Sequence, residues 1–444
     1  MLNQMKKLII LSAVLLSLSI SSCKKYLEIE PVGKVIPTTV ADFRALMTSA
    51  YSGFPKHKAL LAFRTDELGL NDESQDFATV KDIYSWKDVG QDGLTAPFPY
   101  VTFYKSIFYT NQVIADVEAK AGVSAETAQL KAEAYLLRAY AHFELLNLYA
   151  KPYNSATAGT DRGVPISTTI DIEQKFPMAT TEAVYNQIFA DLTAGQQLLN
   201  IDKWEKGKNY RFGKRAALAL TARIYEFRAE WEKALTAAQA VLAINSELED
   251  LNVAGSLLPN NYSSKENILS LEDVMDTRTS NTSIISGHLL SIYDQTNDLR
   301  FAKYFNRSGS NFVSIKGNSD ALKITFRNGE MYLIAAEAAL HTNDKGLAIQ
   351  RLLALKAKRL TPAYFQTEKT RIEALATADL MKEIIAERER ELAIEGHRWY
   401  DLRRYGQPQI THTVGADSFT LIQNDPRYTI RFPKEAIANN PDLQ

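Results

Sequence analysis

The chain has 444 residues, with 51 lysines and arginines against 52 acidic residues, and hydrophobic residues make up 45% of it. That length and apolar fraction are sufficient for one large or two intimate domains with a proper core. The charge is balanced and no basic stripe stands out, which argues against nucleic-acid binding, so we predict no nucleic-acid partner.

The N-terminus has the layout of a secretory signal. Lys6 and Lys7 precede an apolar run at residues 8–18 that is too short to span a membrane, and small residues then lead to Cys23, the only cysteine. This junction resembles the lipobox of bacterial lipoproteins, in which the thiol is linked to a diacylglycerol and the chain is cut just before it. We therefore predict a signal peptide at residues 1–22, a lipid anchor at Cys23 and no disulfides in the mature chain at residues 23–444. The alternative is an ordinary signal peptide with an incidental cysteine.

The mature chain is predicted to begin with an extended tether. Pro31, Gly33 and Pro37 disfavour a helix over residues 24–37. Thr39, with Asp42 three residues later, then predicts the N-cap of a helix that runs to about Tyr51.

A repeat of helix pairs follows. In residues 212–242, large and small apolar residues share one helical face, and the pattern breaks at Ala229-Glu230 before a second helix. Residues 326–355 repeat these offsets around a break at Asn343-Asp344. A looser copy at residues 129–149 has its partner helix only at about 181–199. This spacing is typical of tetratricopeptide pairs, in which small residues let two helices approach closely. The alternative is a generic helical bundle with alanine-rich contacts.

The stretches between these helices have a different composition. Residues 52–98 and 250–325 are rich in Asn, Asp, Ser, Thr and Gly, and residues 406–444 are also loop-like. Inserts of such length are usually functional or disordered. We predict a mostly α fold, with a tetratricopeptide-like helix-pair scaffold (about 129–149, 181–242 and 326–404), long irregular inserts and a few short strands.

No catalytic residues, cofactor or metal are predicted. Glu387 and Glu391 lie one helical turn apart with Arg388 and Arg390 nearby, which indicates a helix crossed by ion pairs rather than the two opposed carboxylates of a glycosidase. The six histidines form no zinc motif. The acidic residues at 66–76 favour a solvated loop, with a bound calcium as the alternative.

Candidate binding residues come from aromatic side chains that could cover sugar rings and polar ones that could bind hydroxyl groups. They are Asp66, Asn71, Asp72, Tyr84, Trp86 and Tyr100 in or just after the first insert, and Arg278 and Asn281 in the second. For each of them the alternative is packing of a long loop onto the helices.

Four separated segments resemble the SusD/RagB family. They are residues 22–31 around Cys23, the helix at 132–145 that continues to Tyr149 and Pro152, the motif at 387–404, and the ending at 432–441. The resemblance implies a surface lipoprotein of the outer membrane of Bacteroidetes-type bacteria, built on tetratricopeptide pairs, that is not an enzyme. It also implies a glycan, oligosaccharide or, in some members, peptide ligand, and a SusC-like TonB-dependent receptor as the partner. The alternative function is a periplasm-facing tetratricopeptide scaffold, against which the long inserts count.

Overall fold

Helices account for most of the regular structure in the computed structural model, which describes residues 37–171 and 176–444. The mostly α prediction is therefore confirmed. The signal segment, Cys23 and the predicted tether up to residue 36 lie outside the described residues. Within the described ranges, no helix combines the length and apolar composition that a membrane crossing requires.

The elements are numbered here in chain order. The helices are α1 Val40–Ser52, α2 His57–Ala62, α3 Phe77–Tyr84, α4 Val101–Ala121, α5 Ala125–Tyr149, α6 Thr181–Leu198, α7 Lys214–Phe227, α8 Trp231–Ile244, α9 Thr277–Thr282, α10 Gly287–Ser291, α11 Leu299–Tyr304, α12 Asn328–His341, α13 Lys345–Lys356, α14 Pro362–Glu373, α15 Thr377–Glu391, α16 Arg398–Arg404 and α17 Lys434–Asn439. The strands are β1 Leu68–Leu70, β2 Asn267–Leu269, β3 Ser283–Ile285, β4 Phe305–Ser308, β5 Asn311–Ser314, β6 Phe326–Arg327, β7 Ile410–Val414 and β8 Asp417–Leu421.

Helix α1 begins with the predicted capping box. The Thr39 hydroxyl accepts the Asp42 N–H at 3.2 Å, and the Asp42 carboxylate accepts the Thr39 N–H at 2.9 Å. These bonds satisfy two of the amide groups that a helix N-terminus leaves without partners. The helix ends at Ser52, one residue beyond the expected end.

The predicted helix pairs are present. Helices α7 and α8 pack together, as do α12 and α13, and α12 also packs on α8. Each pair turns at a residue with positive φ, Ala229 at 54° and Asn343 at 64°. The split pair consists of α5 and α6, where a Cβ added to Gly195 would lie 2.8 Å from the Leu136 side chain. Only glycine therefore allows this close approach.

The strands form four two-stranded antiparallel sheets among the described residues. The pair β1–β3 joins the two inserts, with Leu68 opposite Ile285. The first insert is more regular than expected, because it contains α2, β1 and α3. Its stretch at residues 82–87, which alternates like a strand in the sequence, instead forms the end of α3 and a turn in which Trp86 has a φ of 52°.

A buried ion network links the second insert to the C-terminal helices. Its centre is Glu391, whose carboxylate accepts hydrogen bonds from Arg300, Arg327 and Arg359 at 2.5 to 2.9 Å. The network also includes Glu266, Lys316, Glu387, Glu395 and Asp298, which pairs with Arg300 at 2.7 Å. These nine side chains are all buried. These contacts agree with the interpretation of Glu387 and Glu391 as members of ion pairs. The main partners of Glu391, however, are distant in sequence and are not its neighbours on α15.

Candidate functional site

Four of the predicted binding residues lie near the edge of the β1–β3 sheet, which we call the polar edge. The Asn71 N–H donates to the Thr282 carbonyl oxygen at 2.8 Å, which joins the loop after β1 to the end of α9. Asp72 and Asn281 are exposed, and Arg278, on α9, is half-buried. The strand pairing thus brings Asn71, Asp72, Arg278 and Asn281 from the two inserts to one region.

Asp66 belongs to an ion-paired cluster instead. Arg398 donates to both of its carboxylate oxygens at 2.7 Å, and the exposed His288 lies between Asp66 (3.6 Å) and Glu389 (2.6 Å). Burial opposes ionisation of Asp66, but Arg398 outweighs it and holds the pKa of that carboxyl below its usual range. Although Asp66, His288 and Glu389 could together face a metal ion, Arg398 already supplies the positive charge to both carboxylates.

Tyr84 and Trp86 are packed beneath the β7–β8 hairpin. The His412 ring, on β7, stacks on both of them, at 4.0 Å from Tyr84 and 4.1 Å from Trp86. Trp86 is 0% exposed, and its ring N–H donates to the Arg64 carbonyl oxygen at 3.0 Å. In this structure the two rings are therefore core residues, which corrects the expectation of an exposed stacking surface.

Tyr100 is half-buried in an aromatic cluster at the start of α4. Its ring meets the edges of Tyr149 and Phe432 at 5.7 and 5.6 Å, and the latter two rings stack at 4.9 Å. The cluster joins the C-terminal segment to α5. The structure thus places Tyr100 in a packing contact.

A cleft that we call the tyrosine cleft has the composition of a binding site. Its volume is about 530 Å³, and it lies between the end of α1, the segment before α7 and the second insert. It is lined by Thr48, Tyr51, Ser52, Phe54, Pro55, Lys56, Gly207, Asn209, Tyr210, Tyr262, Ser270, Leu271, Glu272, Asp273, Asp320 and Lys323.

The aromatic wall of this cleft is held firmly in place. The Tyr51 hydroxyl donates to Glu133 and accepts the Phe212 N–H, both at 3.1 Å, and the Tyr51 ring meets Tyr210 edge to face at 5.4 Å. The carbonyl oxygen of Tyr262 accepts a hydrogen bond from the Asn209 side chain at 2.8 Å. Tyr210 and Tyr262 remain partly exposed, so their rings can take part in contacts with a ligand.

Charged groups also line the tyrosine cleft. One oxygen of Glu272 accepts hydrogen bonds from Lys58 at 2.8 Å and from the Tyr140 hydroxyl at 2.5 Å. Burial raises the pKa of Tyr140 well above its usual range, and so the phenol keeps the proton that it donates. Asp273 pairs with Lys56 at 2.5 Å. Partly exposed aromatic rings beside fixed donors and acceptors are an arrangement that suits a polar ligand with apolar faces.

Two further cavities form a C-terminal groove. Their volumes are about 740 and 530 Å³, and they share Pro426, Thr429 and Arg431. The larger cavity is bordered by Tyr149, Arg162 and Phe432, and the smaller by Trp86 and Asp88 among others. No ion pair of Arg431 is found among the residues that the structure describes.

Sequence reasoning missed the residues of the tyrosine cleft. They come from four separate stretches, at residues 48–56, 207–210, 262–273 and 320–323, and none forms a local motif. The available signal was that Tyr51, Phe54 and Tyr210 lie at the boundaries between helical and polar segments, whereas Tyr262 lies inside the second insert. Without knowledge of how those boundaries meet, this signal could not be separated from ordinary core packing.

The chain is similar to known families and structures over most of its length. Residues 25–225 match the family described as starch-binding and associating with the outer membrane, and residues 275–440 match the SusD family. A SusD-like protein, P38, of Formosa agariphila is 22% identical over 258 residues, which are 55% of this chain and 47% of that relative. The chain thus aligns with about half the length of this relative.

Solved structures show the same fold. A SusD superfamily protein of Bacteroides thetaiotaomicron has a TM-score of 0.74 at 21% identity and covers 91% of this chain and 98% of its own. One from Bacteroides fragilis also has a TM-score of 0.74 at 21% identity, with coverages of 92% and 99%. A laminarin-binding SusD-like protein has a TM-score of 0.61 at 17% identity, with coverages of 84% and 92%.

Proposed function

This chain belongs to the SusD/RagB family, and we propose that it is a glycan-binding lipoprotein of the outer membrane that delivers its ligand to a SusC-like TonB-dependent transporter. Proteins of the family associate with the outer membrane, and a structural relative binds laminarin. The anchor would be Cys23, and the protein would face the cell surface. Its role would be binding and transfer, without catalysis.

The observation that carries this proposal is the tyrosine cleft. Sugars present apolar ring faces and hydroxyl edges, and the cleft offers Tyr210 and Tyr262 beside the polar groups of Asn209 and Asp273. Because hydrogen bonds hold the Tyr51 hydroxyl and the Tyr262 backbone in place, little ordering of these segments is needed on binding. The cleft is also large enough for a short oligosaccharide.

Substitution of the cleft tyrosines tests this location. We expect Tyr262→Ala and Tyr210→Ala each to weaken oligosaccharide binding by about 1–2 kcal/mol, since aromatic residues commonly dominate binding energy. Isothermal titration calorimetry with a neutral oligosaccharide, together with thermal unfolding, is the measurement. Phe108→Ala is the matched control, because Phe108 is an exposed aromatic residue on α4 outside the cleft. Unchanged affinity in both tyrosine variants would place the ligand elsewhere.

The polar edge remains the proposed second contact region. Asp72 and Asn281 are exposed there, and the segment at residues 273–282 connects this edge to the tyrosine cleft. A double variant, Asp72→Ala with Asn281→Ala, separates the two regions. Weaker binding in this variant with unchanged thermal stability assigns the edge to the site, and unchanged binding restricts the ligand to the cleft.

The partner is tested by purification of the tagged protein from its native membranes. A large β-barrel receptor at equal stoichiometry supports the delivery role, whereas soluble periplasmic partners without a barrel support the alternative of a tetratricopeptide scaffold. A Cys23→Ala variant is the control for the anchor, because it should leave the membrane fraction. Retention of that variant in the membrane would contradict the lipoprotein assignment.

A further inference from the structure

We infer that the C-terminal groove is a protein-docking surface, which takes an apolar segment carrying a carboxylate from the receptor of the proposed function. This inference rests on the proposed delivery role and locates the surface that contacts the partner. Three features of the groove support it: aliphatic side chains that are exposed around it, aromatic rings that are already packed, and an arginine for which the described residues supply no acidic partner.

The exposed aliphatic side chains around the groove form what we call the apolar rim. Its members are Val89, Leu94, Val101 and Ile422, which are between 56% and 66% exposed. They are four of the ten large hydrophobic residues that are exposed in the part of the chain that the structure describes. Exposed apolar residues that gather at one surface commonly mark a protein interaction site.

The first two rim residues belong to one loop beside the smaller cavity. Val89 lines that cavity directly. Leu94 follows in the same loop, which folds around Asp82: this carboxylate accepts the Asp92 N–H at 2.6 Å and the Thr95 hydroxyl at 3.1 Å. The loop is therefore held against α3, and its two apolar side chains remain exposed.

The other two rim residues adjoin the groove from different segments. Val101 follows Tyr100, which belongs to the aromatic cluster in the wall of the larger cavity. The Ile422 N–H donates to Asp425 at 3.4 Å, and Asp425 pairs at 2.7 Å with Arg427, which lines the smaller cavity. The apolar rim thus borders both cavities.

The aromatic rings of the groove leave little surface for a sugar. Trp86 is fully buried, Tyr149 is nearly so, and the Phe432 ring stacks on Tyr149 at 4.9 Å. The exposed apolar surface is instead aliphatic, and such side chains pack closely with the apolar side chains of another protein. The groove therefore suits a peptide segment better than a glycan.

Arg431 gives the charge that the partner should complement. It lies where the two cavities meet, it is exposed, and it has no ion pair among the described residues. Lys87, Lys151 and Arg427 in the lining differ, because they have acidic partners at 3.5, 3.9 and 2.7 Å. Arg162 donates to main-chain carbonyl oxygens near the C-terminus. A carboxylate on the partner would thus find Arg431 available, and opposite charges across an interface fix its register.

The test is purification of the tagged protein from its native membranes, with the amount of co-purified receptor measured. We expect Arg431→Glu and Val101→Asp each to lower the retained receptor at least fivefold. The first variant reverses the available charge, and the second places a charge in the apolar rim. Because Val101 is the first residue of α4, where an acidic residue is favourable, the fold should be preserved. Thermal unfolding and calorimetric titration with a neutral oligosaccharide should give unchanged results.

Two matched variants control for the introduced charges. Arg307→Glu, on the β4–β5 hairpin, reverses an exposed arginine for which the described part of the chain likewise shows no ion pair. Val123→Asp changes a more exposed valine just beyond the other end of α4, about 30 Å from Val101 along the helix. Both variants should retain as much receptor as the unsubstituted protein.

The outcomes separate the inference from the proposed function. Equal amounts of receptor on all four variants contradict the docking surface and leave the delivery role standing. Weaker oligosaccharide binding by Arg431→Glu and Val101→Asp, with the receptor retained, assigns the groove to the glycan and overturns the inference. If the unsubstituted protein itself retains no receptor, the delivery role fails and the docking surface fails with it.

Discussion

Glu391 joins three arginines in the interior, and its carboxylate is the acceptor that they share. Burial opposes its ionisation, but Arg359, Arg327 and Arg300 outweigh burial and hold the pKa of Glu391 well below its usual range. In a buried network the desolvation cost of each charge is large, so every charge depends on its partners. Gly329 lies against this centre, because an added Cβ would lie 2.7 Å from a Glu391 oxygen.

Glu391→Gln should lower the free energy of unfolding by about 3–5 kcal/mol, since it leaves buried arginine charges uncompensated. Denaturant titration followed by circular dichroism measures this change. The control is Glu373→Gln on α14, where Glu373 pairs with Lys369 in an exposed i,i+4 arrangement and the expected loss is below about 0.5 kcal/mol. Equal losses in the two variants would show that the buried network contributes no more than a surface pair.

Glu67 is the opposite case, a buried carboxyl that favours its neutral form. Burial raises its pKa to about 8, and the nearby Asp66 and Glu389 act in the same direction. One oxygen accepts the Ile394 N–H at 2.9 Å, and the other has no hydrogen-bond partner among the described residues. Because the folded pKa exceeds the unfolded value of about 4.3, this group stabilises the fold most at low pH, and the contribution is lost as pH rises to about 8.

Glu67→Gln should therefore raise the free energy of unfolding at pH 8 relative to the unsubstituted protein, since the amide resembles the protonated carboxyl. The difference should shrink toward pH 5, where the carboxyl is already protonated in the folded state. Denaturant titrations at pH 5, 6.5 and 8 measure it. A variant that is less stable at pH 8 would indicate that Glu67 is ionised in the folded protein and that its charge stabilises the fold.

At the scale of elements, the two helix pairs end their first helix in the same way. The N–H of Glu230 bonds to the Tyr225 carbonyl oxygen at 2.9 Å, and the N–H of Asp344 bonds to the Ala339 oxygen at 2.8 Å. Both bonds span five residues, and the residue before each donor has positive φ. This is the geometry of a Schellman motif, which favours glycine or asparagine at that position. The second pair has Asn343 there, but the first has Ala229.

Ala229→Gly should accordingly stabilise the protein by about 0.5–1 kcal/mol, because glycine adopts positive φ without the steric cost of a Cβ. Thermal and denaturant unfolding measure the gain. The control is Ala240→Gly within α8, which should destabilise the helix by about 1 kcal/mol. Glycine there gives the unfolded backbone more freedom and relieves no strain in the helix. A loss of stability at position 229 would mean that the alanine methyl group makes a packing contact worth more than the strain.

Local sequence signals predicted the helices and turns well, but they predicted poorly which side chains are buried and what they contact. The capping box at Thr39 and the breaks at Ala229 and Asn343 depend on residues within one or two turns, so the sequence was sufficient for them. Trp86 shows the limit. Its neighbours in sequence are polar, but its exposure is decided by His412, which comes from a hairpin more than 300 residues later. No local pattern contains that information.

At the scale of the whole molecule, composition identified the two long inserts but underestimated how much regular structure they contain. Polar residues at 52–98 and 250–325 are typical of loops, yet in the structure these segments hold short helices, paired strands and many buried charges. The partners that order them lie far along the chain, as with Glu266 and Arg359 at 2.6 Å. The tyrosine cleft is likewise assembled from distant segments, which is why its residues could not be selected in advance.

The buried ion network has a consequence for how the molecule opens. Within the second insert Asp298 pairs with Arg300, but the ionic partners of Glu266 and Lys316 are Arg327, Arg359 and Glu395 of the scaffold. The second insert therefore cannot separate from the scaffold as an ordinary surface loop does, because that motion would leave buried charges without their partners. Its protected amide hydrogens should exchange with solvent only as fast as those of α12 and α15. A segment with the composition of a loop would thus belong to the same cooperative unit as the helices, and would give the walls of the cleft the rigidity of the core.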